Sequence, residues 1–190
     1  MESMAGSLRF TGNADADDLL NNNFLALFIG MLLDQQFPIE RAFLGPHQLA
    51  QRLGFDLEPS DLARLPIEDL VRFFSEKPAL HRFPKSMAER THALCQYLID
   101  YYGGNPQDVW ADLSDAAELH QRLLSLPGFG EKKAQIFIAL LAKRFQVTPD
   151  GWEQFAGHYA GVGFHSVADL DSPEALSQLR KQRTKARKAK

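Results

Sequence analysis

The apolar positions of this chain recur at helical spacing, and nowhere do they alternate with polar ones for long enough to predict a strand. From Ala16 the pattern is helical: DLLNNNFLALFIGMLLDQQ starts with acid and becomes almost wholly apolar from Phe24 to Leu33. That density predicts a helix buried on most sides rather than one lying on a surface. Pro38 can open a next helix, PIERAFLG, because proline loses no hydrogen bond in a first turn. HQLAQRLG reads as a separate short helix stopped at Gly54, and SDLARLP, with Pro59 before it and Ser60 as cap candidate, and IEDLVRFFSE as two more. FPKSMAERTHALCQYLIDYYGG carries one stripe of Met87, Leu94, Cys95, Leu98 and Ile99, ended by Gly103 and Gly104. PQDVWADLSD reads as a loop or turn bearing Trp110; AAELHQRLLSL and EKKAQIFIALLAKRF are amphipathic helices on either side of LPGFG. Beyond VTPDGW the period weakens. FAGHYAGVGFHSVADLD is irregular or partly helical, SPEALSQL is a short capped helix, and the rest frays.

The predicted class is therefore all-α, with roughly eight to ten short helices, and the length allows them to form two lobes. The expected organisation is a flexible N-terminus over 1–15, a helical domain over 16–179 and a basic tail over 180–190. A chain of 190 residues, 45% hydrophobic and 24% charged, fits one globular domain with a sizeable core. Its apolar runs are short and broken by charge, so no membrane span is expected, and MESMAGSLRF does not read as a secretory signal. An intracellular, cytoplasmic location follows as the expectation. The single cysteine, Cys95, excludes an internal disulfide, a Cys-ligated zinc site and a four-cysteine iron–sulfur cluster. The six histidines, at 47, 81, 92, 120, 158 and 165, show no close metal spacing, and no metal or other cofactor is expected.

Charge changes this picture. The net charge of -3 hides a cationic end: RKQRTKARKAK, Arg180 to Lys190, holds seven of the 21 basic residues and no acid. The body before it is strongly acidic, and a cationic tail on an acidic body suits nucleic acid better than another acidic partner. Solubility alone is the competing explanation for such a tail.

The turn LPGFG brings in candidate chemistry. Gly128 and Gly130 permit positive backbone dihedrals and leave little side chain over the turn, and Phe129 can point back into the helix pair and lock it. Backbone N–H groups from Gly128 to Glu131 then open a helix, where they lack internal partners and sit at the positive end of its dipole. That is a place for an anion. A phosphate held there is positioned without base information, as a protein that binds any duplex requires.

LxxLPGxGxKxA resembles the helix-hairpin-helix signature of base-excision DNA glycosylases related to endonuclease III. FLALFIGMLLDQQ is similar to that family's first core helix, which ends in glutamine. KSMAERTHALCQYLIDYYGG is similar to its helix before the hairpin. The similar segments run from about Phe24 to Trp152. The resemblance implies a glycosylase-like fold and a base-excision enzyme that removes a damaged or mismatched base, with an abasic-site lyase step through a lysine Schiff base. Its implied partner is double-stranded DNA containing a damaged base or abasic site, bound by a monomer associated with the bacterial nucleoid.

The same resemblance carries roles to residues. Lys132 holds the motif position of the catalytic lysine, and Asp150 follows at the family's 18-residue spacing as the catalytic carboxylate. Gln35 corresponds to the glutamine that fills the hole left by a flipped base, and Gln36 is placed to share that role. Pro127, Gly128, Phe129, Gly130, Glu131 and Lys133 make up the DNA-contacting turn, Lys133 lying about 100° around the helix from Lys132 and facing solvent or phosphate. Asp34, Trp152 and Tyr159 are candidates for a base pocket. Two departures stand out. The iron–sulfur loop is missing, and Gly151–Trp152 replaces the family's threonine–histidine pair after the aspartate. A non-catalytic helix-hairpin-helix module, and a helical interaction protein in which PGFG is only a turn, remain alternatives.

Overall fold

The fold was obtained as a computed structural model, and it describes residues 6–190. Ten α-helices and no strand occur among the described residues, so the chain is all-α. Phe24–Leu33 forms α2, the central helix, preceded by α1 (Ala14–Asn22). The long apolar pattern is thus cut in two at Asn23. Its backbone N–H ends α1 on the Leu19 carbonyl, and its side chain accepts from the Ala26 N–H at 2.9 Å to start α2. Every residue from Leu25 to Leu33 is buried, as an all-apolar helix requires.

Helix α3 (Ile39–Leu53) merges the two short helices expected after Pro38. Pro46 sits inside it and is buried, so the chain continues through a residue that usually interrupts. Packing of α3 on α2 is close because Gly30 offers no side chain: a Cβ there would lie 2.4 Å from the Phe43 ring. Helices α4 (Pro59–Arg64) and α5 (Ile67–Ser75) both rest on α6 (Pro84–Tyr102), which also touches α2. On the other side of α2, α7 (Ala116–Leu124) and α8 (Glu131–Phe145) pack together through the turn 125–130. Short α9 (Trp152–Ala156) and two single 3-10 turns (Gly157–Ala160 and Val167–Asp169) lie on α8, and α10 (Pro173–Lys188) follows. An aromatic seam joins the halves: Phe28 stacks on Phe137 at 4.6 Å, and Phe24 meets Trp110 edge-on at 4.8 Å and Phe145 at 5.3 Å.

Both ends of the chain differ from the sequence expectation. Residues 1–5 lie outside the described ones, but from residue 6 the N-terminal segment is part of the core rather than flexible. Leu8 and Phe10 are buried, Arg9 N–H donates to the Leu170 carbonyl at 3.1 Å, and Asn21 holds both the N–H and the carbonyl of Leu8. At the other end the basic residues continue α10 to Lys188 instead of fraying. Ser172 caps that helix with Pro173 in its first turn, and Leu176 and Leu179 bury its start. Lysine, arginine, glutamine and alanine then sustain it, being good helix formers. No helix among the described residues is long and apolar enough to cross a membrane.

Candidate functional site

The turn between α7 and α8 is built by three different contributions. Gly128 has φ +84, and a Cβ there would lie 2.5 Å from Leu32 Cδ2, so glycine is required both by conformation and by its closeness to α2. Phe129 is buried, edge-on to Phe28 at 5.6 Å and to Phe137 at 6.0 Å. Its side chain bolts the turn to the core, and its N–H is spent on the Leu126 carbonyl at 3.1 Å. Gly130 is different: φ is -102, and a Cβ would meet nothing within 4 Å. As N-cap it offers no side-chain bond to α8, leaving the first N–H groups of that helix to an outside acceptor. Pro127 is half-buried, and Glu131 is exposed with its carboxylate accepting from His120 Nε2 at 2.9 Å and Gln135 at 3.1 Å.

This turn stands on the rim of a cleft of about 1180 Å³. Beside it lies the end of α2. Asp34 there adopts φ -77, ψ 63, a tight turn closed by Gln35 N–H on the Leu33 carbonyl at 2.8 Å, and Gln36 then has φ 52. A non-glycine residue in that region is uncommon, and here it throws Gln35 and Gln36 outward to the exposed lip. Gln35 is not loose. Its Oε1 accepts from Arg90 at 2.9 Å, and His81 Nε2 donates to its carbonyl at 2.9 Å. The third wall comes from the segment after α9, with His158 against the Tyr159 ring at 3.9 Å and His165 edge-on to His158 at 5.8 Å. The fourth is α10, which presents Arg180, Arg183 and Arg187 and pairs Arg180 with Glu40 of α3.

Electrostatics single out three groups. Burial pushes the Asp34 carboxyl above the usual carboxylate range, against the pull of Arg183, Lys133 and Lys132. Burial also drives the Lys133 amine down to about 8, with Arg90 adding to the effect and Asp34 opposing it. The Tyr159 hydroxyl is likewise raised by burial.

The structure therefore brings Gln35, Gln36, Asp34, Gly128, Gly130, Glu131, Lys132, Lys133 and Tyr159 to one cleft. It does not bring Asp150 or Trp152 there. Asp150 is exposed, five residues beyond the end of α8, and its carbonyl accepts from the Ala116 N–H at 2.9 Å, where α7 begins. Trp152 is half-buried against the core. Lys133 is not freely solvated: it lines the cleft half-buried, and its Nζ donates to the Leu32 carbonyl at 3.1 Å. The chain that returns along α8 reaches the cleft at His158 and Tyr159, eight and nine residues past Asp150.

Sequence reasoning missed His158, His165 and Arg90 as site residues, and it read the basic tail as a nucleic-acid contact without placing its arginines at the cleft. The arginines had a signal, since 180, 183 and 187 share one helix face once the tail is read as helix. The histidines, in irregular chain, had none. Cys95 is buried in α6 with its thiol pushed up to about 12, which makes it inert. No group of three or more histidine, cysteine, aspartate or glutamate residues that could hold a metal ion occurs among the described residues. Comparisons of this chain with protein-family models, with curated protein sequences and with solved structures return no match.

Proposed function

We propose that this protein binds duplex DNA and excises a damaged or mismatched base, as a base-excision glycosylase with lyase chemistry open to an amine in its cleft. One observation carries the reading. A glycine turn with free helix N–H groups, two outward glutamines, a half-buried amine and carboxylate, and an arginine-bearing helix all border the same cleft. Each supplies one requirement of base extrusion. The turn and the arginines suit phosphates, Gln35 suits the gap left in the stack, and the cleft is roomier than the roughly 300–1000 Å³ of small-ligand pockets. The resemblance assigns the amine to Lys132 and the carboxylate to Asp150.

The position of Asp150, away from the cleft, favours a second reading, in which the protein grips DNA without chemistry. Incubation of the full chain with duplexes bearing single lesions, mismatches or an abasic site separates the two. Base release, or covalent trapping by borohydride at the abasic site, is the outcome expected of the enzyme. Tight binding with neither activity leaves the binding module, and failure to bind any duplex at low salt removes both readings.

A further inference from the structure

Two adjacent lysines on a helix point in different directions, and here the difference separates solvent from protein. Lys132 is exposed at the rim of the cleft. Lys133 reaches from the first turn of α8 to the end of α2, where its Nζ lies 3.1 Å from the Leu32 carbonyl. Two residues further on, Asp34 is half-buried in the same wall, and among the described residues its carboxylate makes no hydrogen bond or ion pair. The two act on each other's charge without direct pairing, and both border the cleft. The Asp34 oxygens are not sealed off, Thr91 Oγ1 being the only buried side-chain polar atom without a partner among the described residues. A partly buried carboxylate with accessible oxygens, in the wall that also holds the Lys133 amine, is placed for proton transfer.

Resting on the glycosylase reading above, with the abasic-site sugar aldehyde that the resemblance implies as substrate, we propose that Lys133 and Asp34, rather than Lys132 and Asp150, form the reactive amine–carboxylate site that acts on its ring-opened C1′. The neutral amine adds to C1′, forming the N–C bond while the carbonyl pair moves to oxygen and the amine proton passes to that oxygen. Protonated Asp34 gives its proton to the resulting hydroxyl, which leaves as water, and the nitrogen lone pair forms the iminium. Asp34, now a carboxylate, takes a proton from C2′. The C–H pair forms a carbon–carbon double bond as the C3′–O bond breaks, and the phosphate leaves with that bond's electrons. Water then hydrolyses the imine and restores the amine. No oxidant or reductant is needed.

The environment suits these steps. With its amine at about 8, roughly one Lys133 in ten is neutral at pH 7, against roughly one in three thousand for a lysine at 10.5. The raised Asp34 carboxyl holds its proton further toward neutrality. The other titratable and charged groups around the pair are Arg90 on α6, His81 in the loop before α6, Lys132 on α8 and Arg183 on α10.

The test traps the imine on an abasic duplex with borohydride, using the full chain, and locates the adduct in the wild-type protein by peptide mass spectrometry, which needs no variant. An adduct on Lys133 is expected. Lys133→Ala should lose at least a hundredfold in trapping while still binding duplex. Asp34→Asn should slow trapping about tenfold or more. Because the steps need Lys133 neutral and Asp34 protonated, the wild-type rate should stay level between the raised Asp34 range and about 8 and fall on either side. An adduct on Lys132 overturns this assignment and leaves the lyase reading intact. Base release without any trapping overturns it too, leaving a hydrolytic glycosylase; absence of both activities removes the enzyme reading itself.

Discussion

At the scale of single residues, the two glycines of LPGFG do different work. Gly128 is held by the fold: its φ of +84 and the 2.5 Å from a Cβ to Leu32 Cδ2 leave no room for alanine. Gly128→Ala should cost about 1–3 kcal/mol, read as a fall of several degrees in Tm. Gly130 has an ordinary φ of -102 and open space around it, so Gly130→Ala should change stability by less than about 0.5 kcal/mol. The same substitution puts a methyl group where an anion would approach the free N–H groups, and duplex affinity should fall several-fold. Melting and binding curves on both variants check this. Equal effects on binding and no difference in Tm would show the glycines to be equivalent. The residue scale was also where the sequence spoke least evenly. Phe129 as an inward bolt is legible, because an aromatic between glycines has one apolar direction to take. That Lys133, not Lys132, is the half-buried amine is not legible, because it depends on how close α2 comes to α8.

Among the elements, α10 has the most to test. Arg180, Arg183 and Arg187 line the cleft, while Lys181, Lys185 and Lys188 cluster on another side of the helix. Replacing either trio by glutamine removes the same charge. If α10 is a wall of the site, the arginine variant should lose more than tenfold in duplex affinity and flatten the salt dependence by up to about three phosphate contacts. The lysine variant should lose much less. Identical losses would mean that only diffuse charge matters. Helix boundaries elsewhere followed local chemistry that a periodicity reading underweights. Asn21, Asn22 and Asn23 break the first pattern because Asn23 serves as both cap and stop, and Pro46 fails to break α3 because tertiary packing outweighs its local cost. The helix α6, with proline at its start and Gly103 at φ +59 after its end, was legible in full.

For the molecule as a whole, the cleft is assembled from segments near residues 34, 130, 160 and 183, which only the tertiary fold brings together. No local period reports such a site, and for that reason its histidines escaped a reading of the sequence. The segment carrying them is fixed by Asp169. Its carboxylate accepts from Lys143 Nζ at 2.7 Å and from the His165 and Ser166 N–H groups at 2.8 and 3.2 Å. Both charged partners are largely buried, so Asp169→Ala should cost about 3–5 kcal/mol by leaving Lys143 uncompensated. Denaturant unfolding measures that loss. A variant as stable as wild type would show that the helices alone hold the third wall in place.

The contact between Arg9 and Leu170 has a consequence in time. A ribosome delivers this chain from its amino end at about 5–20 residues per second, so some ten to thirty seconds separate the making of one partner from the other. Through that interval the Arg9 N–H lacks its acceptor, while Phe10 already has Phe43 of α3 to pack on at 5.5 Å, and α3 to α6, close together in sequence, have one another. The half with α3 to α6 is thus free to form during synthesis, and the half that bears the cleft waits for Leu170 and α10.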